Sequence, residues 1–216
     1  MIVVGDGLPR KLSSVLCLGA HSDDIEIGCG GTVLKLVAAN PGLTVHWVVL
    51  SADEDRAGEA RASAEHFLGG AMNQEVEVAS FRERYFPHLP ELKEFFDDLG
   101  GRTQPDLVLT HHVGDAHQDH RAVAELTWNT FRDHLILEYE IPKYDGDLGR
   151  PNVFIRLDED LARRKVRAVL EGFPSQAGHL WFTEETFLGL LRLRGVEARS
   201  AGGFAEAFHA RKLVLG

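Results

Sequence analysis

His21, Asp23, Asp24 and Glu26 crowd into the stretch "HSDDIE", directly after the apolar run "SVLCLGA" (14–20) and directly before the glycines of "GCGGT" (28–32). A second concentration, "HHVGDAHQDH" (111–120), follows another apolar run within "DLVLTHH" (106–112). Imidazole nitrogen and carboxylate oxygen are ligand types of catalytic zinc, which takes three protein ligands and leaves a fourth position open. His21, Asp24 and His120 could supply such a set. Asp24, three residues after His21, can curl back in a first helical turn, whereas Asp23 projects differently and stays free to act as a base. A carboxylate beside a metal is what hydrolysis needs, because the metal lowers the pKa of a water it holds toward about 7 and the base takes the proton during attack. Each cluster also has a plainer reading. Ser and Asp at a helix start satisfy free amides, and histidines in loops are often surface residues. Two such clusters, both at strand ends that one fold would bring together, favour a site over either plainer reading.

The elements that must position these residues recur with one rhythm. "SVLCLGA" and a helical face over Val33, Leu34, Leu36 and Val37 predict strand, loop, helix, closed by Asn40-Pro41-Gly42. The same order returns in "TVHWVVLS" (44–51) with "GEARASAEHFLGG", in "VEVASF" (76–81) with "LPELKEFFDDLGG", and in "DLVLTHH" with "RAVAELTWNTFRDH". Four such units predict a parallel sheet with helices on both faces. "LILEYEIP" (135–142) reads as a fifth strand ended by Pro142, and "EDLARRKVRAVLEGF" and "TEETFLGLLRLRG" read as later helices. The expected fold is a single-domain α/β, Rossmann-like, doubly wound sheet over residues 1–216, of strand order 3-2-1-4-5. In that order strands one and four are neighbours at the switch point, where ligands bind beyond the carboxyl ends of the strands.

Composition narrows the partners. At 216 residues, with 44% hydrophobic and 26% charged residues, the chain is of ordinary globular composition, and no apolar run approaches the roughly 20 residues of a membrane span. A net charge of −10 argues against a nucleic-acid-binding face, which needs clustered Lys and Arg. The "RRK" run at 163–165 reads as a solvated helix face. Cys17 and Cys29 make no disulfide framework or CxxC pair. The N-terminus lacks the order of a secretory signal, so the cytoplasm is the expected compartment. The aromatic stretch "LWFTEETFLGLL" (180–191) could serve a homo-oligomer interface or pack back on the sheet.

"AHSDD" (20–24) with "GCGGT", and "HHVGDAHQDH", resemble the PIG-L/LmbE-like family of zinc-dependent N-acetylglucosaminyl deacetylases. "RAGEARASAEHFLG" (56–69), "KVRAVLEGFPSQ" (165–176) and "GGFAEAF" (202–208) are similar to later family segments, so the likeness spans nearly the whole chain. The resemblance implies zinc, one per chain, on His21, Asp24 and His120, with Asp23 as general base. It implies that His117 stabilises the oxyanion or protonates the leaving amine, with Asp119 as its neighbour, and that Arg56 contacts substrate. Ser22 stands where the family commonly has proline, and Ile25-Glu26 replaces a direct Asp-Asp-Glu run, with His21, Asp23 and Asp24 still in register. A His/His/Asp site also accepts iron(II). The turn-rich passage after strand five places Tyr139, Lys143 and Tyr144 where loops carry specificity, within reach of sugar hydroxyls or a phosphate, or as anchors of a solvated connection. The expected activity is removal of an N-acetyl group from a small-molecule amino sugar or sugar conjugate. Two competitors are a metallophosphoesterase, with Asp115 and Glu26 holding a second metal, and a non-catalytic sugar-nucleotide binding module.

Overall fold

A computed structural model describes residues 12–213; residues 1–11, where most of the leader reading falls, lie outside the described residues. The apolar run after them is β1 (Ser14–His21), and it leads into α1 (Asp24–Ala39). The alternation continues through β2 (Thr44–Ser51), α2 (Glu54–Leu68), β3 (Asn73–Val78), α3 (Pro90–Arg102), β4 (Leu107–His111), α4 (Gln118–Thr130) and β5 (Leu135–Tyr139). Then follow β6 (Val153–Leu157), α5 (Glu159–Gly172), α6 (Glu184–Glu197) and β7 (Phe204–His209).

The sheet runs β3-β2-β1-β4-β5-β7-β6. Its first five strands are mutually parallel in the expected order. The difference from the expectation is an added edge: β7 pairs antiparallel with both β5 and β6. Both strands are short, and β6 follows the turn-rich passage without a helix between. Along β1, Val15 and Cys17 face one apolar cluster while Leu16 and Leu18 face the other. This two-sided burial is what a parallel sheet covered on both faces requires.

Helix α1 is anchored where the glycines fall. A Cβ on Gly28 would lie 2.2 Å from the Tyr139 ring, so only glycine lets the helix approach β5 this closely. Two turns in, the Gly31 and Thr32 amides donate to Glu206 of β7 at 2.8 and 2.6 Å. Lys165 of α5 donates to Glu206 and, at 2.7 Å, to the Ile27 carbonyl, the group that an unbroken α-helix would pair with the Gly31 amide. The "RRK" run is therefore not wholly solvated: Arg163 and Arg164 are exposed but Lys165 is 3% exposed, because its ammonium meets a buried carboxylate. In α6 and the segment before it, Phe182, Phe187 and Leu191 join the main core, so that stretch packs back on the molecule.

Candidate metal centre

Strands β1 and β4 are neighbours, and His21 and His111 are their last residues. The two clusters therefore share the crevice at the switch point. His120 Nε2 lies 3.3 Å from His21 Nδ1 and 3.5 Å from Asp24 Oδ1, and His21 Nδ1 lies 3.4 Å from Asp24 Oδ2. Metal–ligand bonds of about 2.0–2.1 Å in a tetrahedron put ligand atoms about 3.3–3.4 Å apart, which these separations approach, with Asp24 meeting His21 through Oδ2 and His120 through Oδ1. Asp24 does curl back, accepting the His21 amide at 2.7 Å.

The far side of each imidazole carries a carboxylate. His21 Nε2 faces Asp119 Oδ2 at 3.2 Å and His120 Nδ1 faces Asp115 Oδ2 at 3.0 Å. Outer carboxylates of this kind fix the ring and the tautomer of a metal-ligating histidine. Asp119 is itself held by the Arg84 and Phe86 amides, at 2.6 and 3.2 Å. Its carboxylate thus serves His21, while the contact with neighbouring His117 runs from the Asp119 backbone amide to His117 Nδ1.

Asp23 stands at the N-cap position of α1 and caps nothing: its side chain makes no capping hydrogen bond and its backbone is left-handed, with φ 90°. A non-glycine residue in that region costs roughly 1–2 kcal/mol. The side chain is 7% exposed, with Arg56 Nη2 3.6 Å from Oδ1. Burial and the Asp24 charge push its pKa well up, against the pull of Arg56. Burial acts the same way on Asp24, yet the imidazoles of His120 and His111 hold its pKa well below the usual carboxylate range. Arg56 also donates to the Ser22 carbonyl at 2.7 Å, and the Ser22 hydroxyl returns a bond to the Arg56 carbonyl. That pair clamps the β1–α1 turn to the start of α2.

His117 is the N-cap of α4, half-buried, with its ring 4.9 Å from His21 and 4.6 Å from His120. Its Nδ1 accepts a backbone amide, which assigns the proton of the neutral ring to Nε2. Burial and the nearby His21 hold its pKa below the ordinary value, so the ring is neutral at pH 7.

Other expected residues fall elsewhere. Tyr139 is fully buried, donates to the Leu18 carbonyl at 2.6 Å and lies under Gly28; a core phenol offers nothing to a substrate in the crevice. Lys143 reaches Asp115 and Asp147. Glu26 is buried, and burial raises its pKa to about 7. Among the described residues, no cluster of potential metal donors includes Glu26 or Asp115. His111 was missed. It is wholly buried, stacks on His120 at 3.9 Å and lies 3.2 Å from Asp24. Its Nε2 also lies 3.0 Å from the Ala20 amide, and it forms with Asp24 and His120 a second group of potential metal donors. The paired histidines at 111–112 were the available signal.

Residues 16–131 match the family model described as GlcNAc-PI de-N-acetylase, PIG-L. The chain is 31% identical over 173 residues to an uncharacterized deacetylase of Escherichia coli, YaiS, covering 74% of this chain and 90% of that one. Its fold is similar to N,N'-diacetylchitobiose deacetylase from Pyrococcus horikoshii, with TM-score 0.71, 21% identity, and coverage of 93% of this chain and 84% of that one. It is similar also to GalB, a 4-carboxy-2-hydroxymuconate hydratase from Pseudomonas putida, with TM-score 0.72, 21% identity, and coverage of 94% and 98%. These two likenesses show the fold alone, and one fold hosts unlike reactions. The family match over the segment that carries both clusters, and the relative aligned along most of its length, show that the chain belongs to the PIG-L/LmbE-like family of deacetylases.

Proposed function

We propose that the chain is a metal-dependent N-deacetylase that releases acetate from the amino nitrogen of a sugar or sugar conjugate. The single observation that carries the reading is Asp23: a buried carboxylate, free of capping duty, held in a strained backbone beside two overlapping groups of potential metal donors, His21, His117 and His120, and Asp24, His111 and His120. Neither a helix cap nor a passive binding site explains that arrangement, and perturbed carboxylates grouped with imidazoles in a crevice usually mark catalysis.

Zinc on His21, Asp24 and His120 would supply Lewis acidity toward the amide carbonyl and would ease the ionisation of water. Asp23 takes the proton of the attacking water, a role its raised basicity suits. As the water oxygen bonds to the carbonyl carbon, charge gathers on the former carbonyl oxygen, and the Nε2–H of His117 donates to it. The C–N bond then breaks, Asp23 passes its proton to the departing nitrogen, and acetate and a free amine result. Arg56 keeps Asp23 oriented and faces the crevice from α2. The amino-sugar class is supported by the family's GlcNAc-PI description. Two buried, unbonded cysteines support a reducing compartment.

The test is acetate release from N-acetylglucosamine, its glycosides and diacetylchitobiose, using protein loaded with zinc or iron(II), beside Asp23→Asn. Release by the parent is expected, with turnover lowered about 10²–10⁴-fold in the variant and one metal per chain in both. Full activity in Asp23→Asn would remove the base, and no acetate from any N-acetyl substrate would remove the reaction.

A further inference from the structure

The β5–β6 connection (140–152) meets the β4–α4 loop at three side chains. Asp115 Oδ2 faces His120 Nδ1 at 3.0 Å and accepts from Lys143 Nζ, also at 3.0 Å. Asp115 Oδ1 accepts the His117 amide at 2.7 Å. Lys143 Nζ also donates to Asp147, whose Oδ2 accepts the Ala116 amide at 2.6 Å. The side chains of Asp115, Lys143 and Asp147 are 3%, 12% and 13% exposed. One ammonium therefore lies between two carboxylates, beside Arg121, which donates to the Asp115 and Ala116 carbonyls. With every Lys143 hydrogen bond taken up inside the protein, the arrangement is a clamp on residues 115–117.

We infer that Lys143 is a positioning residue of the metal centre: it holds the Asp115 carboxylate at His120 Nδ1, and so keeps His120 Nε2 aimed at His21 and Asp24. Without the ammonium, Asp115 and Asp147 repel each other across the gap, and Asp115 turns away from the imidazole. Loss of such an outer partner lowers metal affinity about 10–100-fold. The β5–β6 connection thereby becomes part of the metal centre, a role different from the sugar or phosphate contact expected from its sequence.

This inference rests on the metal centre proposed above, and its readout is zinc affinity, which needs no substrate. The full-length chain, stripped of metal, is titrated with zinc against a chromophoric chelator at fixed pH, with a thermal melt as a folding check. Lys143→Met, or Lys143→Gln should the first not fold, is expected to bind zinc at least about tenfold more weakly, with Lys143→Arg near the parent. Asp147→Asn, which leaves the Lys143–Asp115 contact in place, is expected within about threefold of the parent, and Lys143→Met should add nothing in an Asp115→Asn background. Parent affinity in Lys143→Met with a raised KM would make Lys143 a substrate contact and overturn the inference. Equal loss from Asp147→Asn and Lys143→Met would reduce it to a loop staple. A parent that takes up no zinc would refute the metal centre along with it.

Discussion

Replacing Glu206 by leucine strands three donors at once: the Lys165 ammonium and the Gly31 and Thr32 amides inside α1. Replacing Lys165 by methionine strands less, because the Glu206 carboxylate keeps both amides while it loses the ammonium and the Ile27 carbonyl loses one donor. Both changes break a buried ion pair, which costs about 3–5 kcal/mol when one member is removed. Two unpaired buried amides add about 1–3 kcal/mol each. Glu206→Leu should therefore destabilise by at least about 2 kcal/mol more than Lys165→Met, a gap of roughly 4 °C or more in melting midpoint for a chain of this size. The measurement is thermal unfolding of the metal-stripped chain with chelator present, so that metal binding does not add its own stabilisation. Should Glu206→Leu not fold, Glu206→Gln retains one acceptor and should fall between the other variant and the leucine. Equal midpoints for the two single variants would mean that the α1 amides find helix carbonyls once Glu206 is gone, and the anchoring of α1 by β7 would be wrong.

Tyr139→Phe removes one buried hydrogen bond to the Leu18 carbonyl, so stability should fall by about 1 kcal/mol with KM unchanged; a raised KM would restore Tyr139 to the substrate site. Gly28→Ala places a methyl 2.2 Å from the Tyr139 ring, and a loss of at least about 1–3 kcal/mol is expected in denaturant unfolding. His117→Ala should retain its metal by elemental analysis while turnover falls about 10²–10³-fold. Asp23→Gly should relieve the left-handed strain, raising stability by about 1 kcal/mol while turnover collapses; a loss of stability would mean that the Asp23 carboxylate, not the scaffold around it, holds the turn.

The sequence revealed the five parallel strands because each strand-then-helix unit pairs a short apolar run with an amphipathic one, and the doubly wound order expected for such units brings strands one and four, and with them the acids and histidines, together. It hid β6 and β7. In β7, Glu206 shares a face with the core residues Phe204 and Phe208, and this carboxylate, 2% exposed, finds its partners in α1 and α5. Lys165 was misread for the same reason: a buried ion pair between residues forty-one apart has no local signature. The candidate donors His21, Asp24 and His120 were legible from spacing at strand ends. The carboxylates behind them were not assigned correctly, because whether Asp119 faces His117 or His21 is decided by the Arg84 and Phe86 amides, and backbone donors leave no trace in residue type.

Consecutive aspartates become opposites at the β1–α1 turn. An extended backbone at residue 23, as at the capping residues Asp53 and Asp158, would send the Asp23 side chain toward the free amides of the first turn, as an ordinary cap. The left-handed φ at Asp23 instead rotates its side chain off the helix axis and lets the chain double back, so that Asp24 can accept the His21 amide and join the two imidazoles. Asp24, among imidazoles, stays an anion and suits a cation. Asp23, buried against the Asp24 charge with one guanidinium 3.6 Å away, is the more basic of the two and suits a proton. The Ser22–Arg56 clamp bears on the same turn from α2, so the strain that separates the two carboxylates is held from outside the loop. Ligand and base can sit at adjacent positions because one strained residue points them apart.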